Sequence, residues 1–168
     1  TATALQYDEK AVPMYFHLCS DGSGANAIIQ TGGGTRVPLT PKSFEMKEVE
    51  PGVIRNELQG QMDGLSVFSF SVKEPPKSIM RLCEHFDLNI DEIDYLLLHQ
   101  ANKYMDDKIA KKVKVPLEKV PFSIMQYGNT SSASIPTTIV SELAKSIEKE
   151  KVQVIMCGFG SGLSWGSA

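Results

Sequence analysis

Short apolar runs separated by amphipathic stretches occupy the last two thirds of the chain, a pattern that predicts strands alternating with helices. Residues 95–98 are continuously apolar and residues 152–157 nearly so, which is typical of buried parallel strands. Residues 122–125 form a third run that we also interpret as a strand. The glycine-rich stretch at 158–162 is expected to turn into a last strand.

Helices are predicted where apolar residues recur every three to four positions. One is expected over residues 64–72. A second begins at Pro75-Pro76, because proline suits the first turn of a helix. In that second helix an apolar stripe is formed by Ile79, Leu82, Cys83 and Phe86. Further helices are predicted at 101–113 and from Pro136 to about Lys149.

The first third of the chain has a different pattern. Residues 2–7 and 12–19 read as two strands joined by a polar turn. Residues 35–60, rich in proline and charge, are expected to cross the surface. Together these elements predict one α/β domain over residues 1–168, with helices on a mixed, mostly parallel sheet. Both ends lie within segments expected to be ordered, so we expect a fragment of a larger protein.

Composition narrows the class of protein. The chain has 42% hydrophobic and 22% charged residues, ordinary values for a soluble globular domain, and its net charge of −3 argues against nucleic-acid binding. No apolar run is long enough to span a membrane and no signal peptide is visible, so a cytoplasmic protein is expected. Cys19, Cys83 and Cys157 are far apart, and no cysteine or histidine spacing matches a metal site. We therefore expect reduced thiols and no metal.

Two polar motifs follow the predicted strands. His99 comes directly after the run at 95–98, in His99-Gln-Ala-Asn102, and Asn129 follows the run at 122–125 in a glycine turn. Open α/β sheets bind ligands at the carboxyl ends of their strands, so both side chains are candidates for one site. There, two neutral donors could hold the oxygen of a thioester enolate. Alternatively, His99 is a core residue and Asn129 a turn residue, since asparagine suits turns.

Four segments together resemble a known family. They are His99-Gln-Ala-Asn102, residues 127–136, residues 158–166 and, more weakly, residues 17–22. Their order and spacing resemble the β-ketoacyl-[acyl-carrier-protein] synthase III family of the thiolase superfamily along essentially the whole chain. The first two segments together are highly specific, whereas the glycine turn alone would be weak.

The resemblance implies a thiolase-like fold, in which two α/β units form five layers, αβαβα, and this chain is the second unit. In the family the nucleophilic cysteine lies in the first unit, at a helix N-terminus that lowers its pKa. Cys19, Cys83 and Cys157 do not match that motif. The resemblance therefore implies an acyltransferase whose nucleophilic half is absent here, so that this chain alone is inactive.

The implied reaction is a decarboxylative Claisen condensation of an acyl group from acyl-coenzyme A with malonyl-acyl carrier protein, which starts fatty-acid synthesis. By the resemblance, His99 and Asn129 donate hydrogen bonds to the thioester oxygen, with the His99 proton on Nε2. The backbone N–H of Ser161 helps to hold the oxyanion of acyl transfer. No cofactor is implied, because acyl-coenzyme A and malonyl-acyl carrier protein are substrates.

The resemblance also assigns supporting roles and partners. The residues assigned to the pantetheine arm or the acyl chain are Asn102, Gly64, Phe68 and Phe159. Lys103 and Lys108 are assigned to docking of the carrier protein. The implied partners are acyl carrier protein, acyl-coenzyme A, the chain's own N-terminal half and a second copy in a homodimer. Neither nucleic acid nor membrane is expected.

Two departures from the family's pattern bear on substrate and docking. Tyr104 occupies the position where the family commonly has a basic residue, and Ser161 replaces a frequent glycine. The nearby lysines could form a solvated helix face or attract an acidic partner. Other functions in the same superfamily stay open: an acyltransferase of secondary metabolism, or a non-catalytic partner. A cysteine hydrolase is a further alternative, since Cys19, His99 and Asn129 occur in papain-like order.

Overall fold

The computed structural model describes residues 2–4, 6–149 and 151–168. In these ranges the strands are β1 (His17–Ser20), β2 (Ile28–Ile29), β3 (Lys47–Glu50), β4 (Val53–Arg55), β5 (Gln61–Met62), β6 (Tyr95–Leu98), β7 (Val154–Gly160) and β8 (Ser164–Ser167). The α-helices are α1 (Gly64–Ser71), α2 (Glu74–Phe86), α3 (Lys103–Val113), α4 (Ile124–Tyr127), α5 (Ser134–Thr138) and α6 (Ala144–Ile147). A π-helical turn, Ile139–Leu143, joins α5 to α6. Short 3₁₀ turns occupy Gly22–Ala27, Pro41–Phe44, Ile90–Glu92, Leu117–Lys119 and Ser131–Ala133.

The main sheet has four strands in the order β1-β8-β7-β6. β6 and β7 pair in parallel, whereas β7 pairs antiparallel with β8, and β8 antiparallel with β1. The prediction of an α/β fold with a mixed sheet is confirmed, but the prediction that this sheet is mostly parallel is wrong. The cause is the short connection at 161–163, because a tight turn can join only antiparallel strands.

Two helices cover one face of this sheet. α2 packs against β1, β7 and β8, and α3 packs against α2. The core between them includes Ile79, Leu82, Leu96 and Ile109, each at most 1% exposed. Complete burial of one such side chain contributes about 1.5–3 kcal/mol, so this layer fixes the sheet that carries the candidate site.

The predicted helices at 64–72 and 101–113, and the one beginning near Pro75, are confirmed as α1, α3 and α2. Local hydrogen bonds explain the starts of α1 and α3. The Asp63 carboxylate accepts from two backbone N–H groups at the start of α1, and the Asn102 side chain accepts from Met105 N at the start of α3. These caps occupy donors that the first turn of a helix leaves free.

Several predicted strands are wrong. Residues 122–125 contribute to the short helix α4, because a short apolar run fits a helix as well as a strand. Of the strand predicted at 12–19, only the part from His17 onward forms, as β1. The described part of residues 2–7 forms no strand, and residue 5 lies outside the described residues. Residues 35–60 lie largely on the surface as predicted but include the hairpin β3–β4.

Exposed apolar side chains occur on the edge strand β1 and on two helical segments. His17 and Cys19 are partly buried on the α2 side of β1, so Leu18, between them, points the other way and is 75% exposed. Val140 and Met125 are 72% and 81% exposed. Within the described residues, no helix is both long and apolar enough to cross a membrane.

Candidate active site

His99 lies at the carboxyl end of β6 and is held from two directions. Its backbone N–H donates to the Cys157 carbonyl on β7 at 2.9 Å, which continues the parallel pairing beyond the strand. Its ring Nδ1 lies 2.8 Å from the Ser134 hydroxyl at the start of α5. Its ring also meets the Phe159 ring edge to face at 5.3 Å between centroids. The ring is therefore fixed by β7 and α5 together.

Burial keeps the His99 imidazole neutral at neutral pH. Desolvation lowers its pKa below 6.5, and a backbone hydrogen bond to Ser131 opposes this effect only in part. A neutral imidazole has one N–H donor and one lone pair. With Nδ1 against the Ser134 hydroxyl, Nε2 is the nitrogen that is available to a ligand.

Asn129 lies in the turn between α4 and α5. Gly128 precedes it with φ 69°, a backbone conformation that glycine adopts without strain. The Asn129 Oδ1 accepts from Ser131 N at 2.9 Å. That bond leaves the amide Nδ2 free of hydrogen bonds to any described residue. The exposed turn thus presents a carboxamide donor.

His99 and Asn129 line the same cavity, which has a volume of about 900 Å³. The residues that line it come from β1, β2, β5, β7 and β8, from the end of β6 and from the segment 129–135. Phe159 and Ser161, which the resemblance also assigned to the site, line this cavity too. Four of the predicted site residues therefore come together at the carboxyl end of β6 and β7.

The turn between β7 and β8 carries Ser161 and is anchored at Leu163. Leu163 exchanges two backbone hydrogen bonds with Asp21, at 2.8 and 2.9 Å, so the turn is tied to the end of β1. Gly162 has φ 137°, and a Cβ there would lie 2.8 Å from Ser164 N, so glycine is required. Ser161 is thereby held at the cavity edge.

The other predicted binding residues do not line this cavity; Phe68, Lys103 and Lys108 form a surface cluster with Tyr104 on α1 and α3. The Phe68 ring stacks on Tyr104 at 5.7 Å, and the Lys108 ammonium lies 5.0 Å above the same Tyr104 ring. Lys103 is bound to Asp107 at 2.7 Å. We call Phe68, Lys103, Tyr104 and Lys108 the aromatic–lysine cluster.

Asn102 and Gly64 lie at the starts of the helices that carry this cluster. The Asn102 side chain is engaged in capping α3, and Gly64 is the first residue of α1. Gly64 follows shortly after Met62, which lines the cavity. The start of α1 therefore lies close in the chain to the cavity wall.

Three free thiols occupy different environments. Cys83 and Cys157 are buried, and desolvation raises the pKa of both, that of Cys157 to about 12, so both remain protonated at neutral pH. Cys19 lines the cavity, with Sγ 3.7 Å from His17 Nε2. In the described residues no three His, Cys, Asp or Glu side chains cluster to hold a metal ion.

A buried polar group on α3, which contacts the Gln100 side chain, escaped the sequence analysis. Asp106 is 1% exposed, and its Oδ1 makes no hydrogen bond with the described residues. Desolvation, followed by the nearby Asp107 charge, raises the pKa of Asp106 to about 8. The helical period contains the signal, because Asp106 lies on the same face of α3 as Ala110 and Val113, both buried.

Comparison with known proteins decides the family. Residues 83–168 match the model of the family described as 3-oxoacyl-[acyl-carrier-protein (ACP)] synthase III C terminal. This chain belongs to that family. The matched range holds the histidine motif, the asparagine turn and the glycine turn, so it contains every residue found at the cavity except those from β1, β2 and β5.

Relatives of known sequence and structure agree with this assignment. The β-ketoacyl-[acyl-carrier-protein] synthase III of Streptococcus pyogenes serotype M5 (strain Manfredo) is 44% identical over 113 residues, which cover 64% of this chain and 34% of that protein. A crystal structure of a 3-oxoacyl-(acyl-carrier-protein) synthase III superposes with a TM-score of 0.84 at 31% identity, over 99% of this chain and 49% of that one. The synthase from Burkholderia xenovorans LB400 gives 0.79 at 38% identity, over 90% and 42%.

These synthases confirm the predicted thiolase-like fold and the predicted resemblance to synthase III. This chain matches no more than about half the length of the relatives compared. The roles of individual residues in the reaction stay predictions, as does the position of this chain as one domain of a two-unit protein.

Proposed function

We propose that this chain is the carboxyl-terminal half of a condensing enzyme that joins an acyl group to malonyl-acyl carrier protein with loss of carbon dioxide. The observation that carries the proposal is the pairing of two neutral donors, His99 and Asn129, on one cavity. Membership in the synthase III family supports the reaction class.

In the proposed reaction an acyl group first moves from acyl-coenzyme A to a cysteine thiolate in the amino-terminal half, and coenzyme A leaves. Malonyl-acyl carrier protein then binds. The bond between its carboxylate and its methylene carbon breaks, carbon dioxide leaves, and the electron pair forms a thioester enolate. His99 Nε2–H and Asn129 Nδ2–H donate to the enolate oxygen, and loss of one such donor costs about 2.7–4 kcal/mol of barrier.

The enolate carbon then attacks the acyl-cysteine carbonyl. The oxyanion that forms is held in part by the backbone N–H of Ser161, and the cysteine thiolate leaves as the new carbon–carbon bond is completed. A neutral imidazole suits this role because its N–H can donate a hydrogen bond to the enolate oxygen and is too weakly acidic to protonate it. A charged imidazolium could protonate the enolate and stop the condensation. The lowered pKa of His99 supports the assignment.

The phosphopantetheine arm would enter along α1 toward the cavity. Gly64 and Phe68 lie on α1, and Asn102 caps the neighbouring α3. Phe159, which packs on the His99 ring, would border the acyl end. The absence of a side chain at Gly64 leaves room at the helix start, where a Cβ would meet no atom within 4 Å.

The aromatic–lysine cluster would receive the acyl carrier protein. Lys103 is already paired with Asp107, whereas Lys108 forms no ion pair with a described residue, so the Lys108 charge is the one available to an acidic partner. Its ammonium lies over the Tyr104 ring, which fixes its position without neutralising its charge. In the whole enzyme we expect a cytoplasmic homodimer that needs no cofactor beyond its substrates.

Carbon dioxide release from malonyl-acyl carrier protein tests the function in the complete protein. The wild type should release it, and His99→Ala should lower the rate about a hundred- to a thousandfold. His85→Ala is the matched control, since His85 is exposed on α2 and away from the cavity. Wild-type protein that releases none, or equal loss in both variants, would contradict the proposal. Product analysis with different acyl primers distinguishes fatty-acid synthesis from a related acyl transfer.

A further inference from the structure

The cavity that holds His99 and Asn129 is also lined by the thiol of Cys19, which the proposed reaction does not use. Cys19 and His17 are alternate residues of β1, and both are partly buried on its α2 side. Cys19 Sγ lies 3.7 Å from His17 Nε2 and 3.8 Å from His17 Nδ1, within hydrogen-bonding distance for sulfur. A base beside the thiol is what a cysteine nucleophile needs, because the thiolate is the form that attacks.

The His17 ring is held by a hydroxyl on α2. Its Nδ1 lies 2.9 Å from Ser78 Oγ, which leaves Nε2 to Cys19. Ser78 Oγ also accepts from the Ser167 hydroxyl on β8 at 2.9 Å, and both serines are 1% exposed. Cys19, His17 and Ser78 therefore stand in the order nucleophile, base and orienting group. We call these three residues the thiol triad.

The thiol triad can hold the charges that proton transfer from Cys19 to His17 would create. In an imidazolium both ring nitrogens carry a proton, and each proton needs an acceptor. Nδ1–H would donate to Ser78 Oγ, whose own proton can go to the His17 carbonyl at 3.5 Å. Nε2–H would donate to the Cys19 thiolate. Proton transfer therefore leaves no partly buried donor of the thiol triad without an acceptor.

The other two thiols lack these features. Cys83 and Cys157 are buried, and desolvation raises the pKa of both, that of Cys157 to about 12. Neither lines the cavity. Among the three thiols of this chain, reaction with a molecule in the cavity should therefore be confined to Cys19.

The lining of the cavity indicates what kind of molecule can reach Cys19. Among the described residues it includes no aspartate, glutamate, lysine or arginine, so a charged group there would be desolvated without a counter-charge. Large apolar side chains and hydroxyls share the lining, and they include Ile28, Met62, Phe159 and Trp165, and Ser131, Ser132, Ser161 and Ser164. This combination suits an uncharged chain that carries amide groups. Pantetheine is such a chain, and it ends in a thiol.

We infer that an uncharged thiol of the pantetheine type becomes attached to Cys19 as a mixed disulfide, with the help of the thiol triad. The oxidant is the disulfide of that thiol. His17 takes the Cys19 proton, the thiolate attacks one sulfur of the disulfide, and a new sulfur–sulfur bond forms as the old one breaks. The departing thiolate takes the proton from His17, so one thiol and one disulfide are consumed and one of each is produced. Entry of pantetheine into the cavity rests on the proposed function, whereas the reactivity of Cys19 does not.

Pantethine, the disulfide of pantetheine, is the probe that tests the inference. Peptide mapping of the complete protein by mass spectrometry locates the attached group. At neutral pH the wild type should gain pantetheine on Cys19, and a reductant should remove it, while Cys83 and Cys157 stay unmodified in the same samples. Oxidised glutathione carries net charge, so it should modify Cys19 more slowly by about fivefold or more.

His17→Gln tests the base, because glutamine can still bond to Ser78 but takes no proton. At neutral pH it should lower the rate of Cys19 modification about three- to thirtyfold. Raising the pH should restore the rate, since a thiol then ionises without a base beside it. His85→Gln is the matched control, because His85 is exposed on α2 and does not line the cavity, and it should leave the rate unchanged. If His17→Gln does not fold, Ser78→Ala removes the orienting hydroxyl and should slow the reaction in its place.

A wild type whose Cys19 stays unmodified by pantethine would overturn the inference. So would equal rates in the wild type and His17→Gln at neutral pH, or oxidised glutathione that reacts at Cys19 as fast as pantethine. Carbon dioxide release by the reduced wild type decides the proposed function separately. A protein that releases none can still show the Cys19 reaction, so the two failures are distinguishable.

Discussion

The two donors of the candidate site are held in contrasting ways. His99 is half-buried between two strands and a helix, and its ring contacts the buried Ser134 hydroxyl and the Phe159 ring. Asn129 lies on an exposed turn, where one hydrogen bond to Ser131 N orients its side chain. The imidazole is thus positioned by packing across the domain, whereas the carboxamide is positioned by a few neighbouring residues.

This difference determines whether a substitution should change activity alone or both activity and folding stability. Changes around His99 should couple activity to folding stability, because the same buried groups serve both. Changes at Asn129 should alter activity with a smaller effect on stability, at most about 1.5 kcal/mol, since its side chain makes one exposed local hydrogen bond. Each of the following predictions tests one side of this comparison.

The largest expected effect is on the exposed side. Asn129→Ala should lower carbon dioxide release about a hundred- to a thousandfold, because it removes one donor to the enolate. Its free energy of unfolding should fall by at most about 1.5 kcal/mol, because one local hydrogen bond, to Ser131 N, is lost. Rate assays and urea unfolding of the complete protein measure the two quantities.

Asn89→Ala provides the control for Asn129. Asn89 is also an exposed asparagine whose side chain accepts a local backbone hydrogen bond, here from Asp91 N. It does not line the cavity that holds His99. A loss of rate in Asn89→Ala equal to that in Asn129→Ala, or a large loss of stability in Asn129→Ala, would remove the contrast between the two donors.

An intermediate effect is expected on the buried side. The folded pKa of Asp106 is about 8, above its ordinary value of 3.8, so between these values the folded protein holds a proton that the unfolded chain releases. Stability should therefore fall as pH rises through this window, by about 1.4 kcal/mol per unit. Asp106→Asn cannot ionise and should lack this component.

The difference in unfolding free energy between wild type and Asp106→Asn, measured by urea at several pH values, isolates that slope. The difference should move in favour of the variant as pH rises from 4 toward 8. A difference that does not depend on pH would mean that Asp106 ionises normally and is not desolvated as described.

The smallest expected effect lies outside the cavity. Lys108→Ala should raise the KM for acyl carrier protein at most about fivefold and leave kcat unchanged, because one exposed charge contributes little. Lys145→Ala, at an exposed lysine on α6 that is not a member of the cluster, is the matched control. A fall in kcat, or an equal change in KM for both variants, would argue against docking at the aromatic–lysine cluster.

Much of the site could be predicted from local pattern. The apolar run at 95–98 placed His99 at the end of a buried strand, and the structure confirms that placement. Asn129 was expected after a strand but follows the short helix α4, and it still reaches the cavity because the turn between α4 and α5 folds back. To predict that His99 and Asn129 face one cavity, it was enough to know that each follows a short apolar run at the start of a turn.

Long-range relations could not be predicted in the same way. Whether β7 and β8 pair parallel or antiparallel depends on the turn at 161–163, which is tight enough to reverse the chain. The glycines around this turn indicate such a reversal. The alternation of helices and strands elsewhere in the chain favours parallel pairing and so led to the wrong prediction. The hydrogen bonds that connect Asp106 to Thr138 pass through Gln100 and Ser123, which are distant in sequence from Thr138 and of types common in loops. No local pattern distinguishes such residues from solvated ones.

A double-mutant cycle on carbon dioxide release tests the central claim most directly. His99→Ala, Asn129→Ala and the double variant are compared in the complete protein with malonyl-acyl carrier protein. If both side chains bind one enolate oxygen, each single variant should lose about a hundred- to a thousandfold, and the double variant should lose far less than the product of the two. Losses that simply multiply, or a wild-type rate in Asn129→Ala, would contradict the claim that both donors serve the same oxygen.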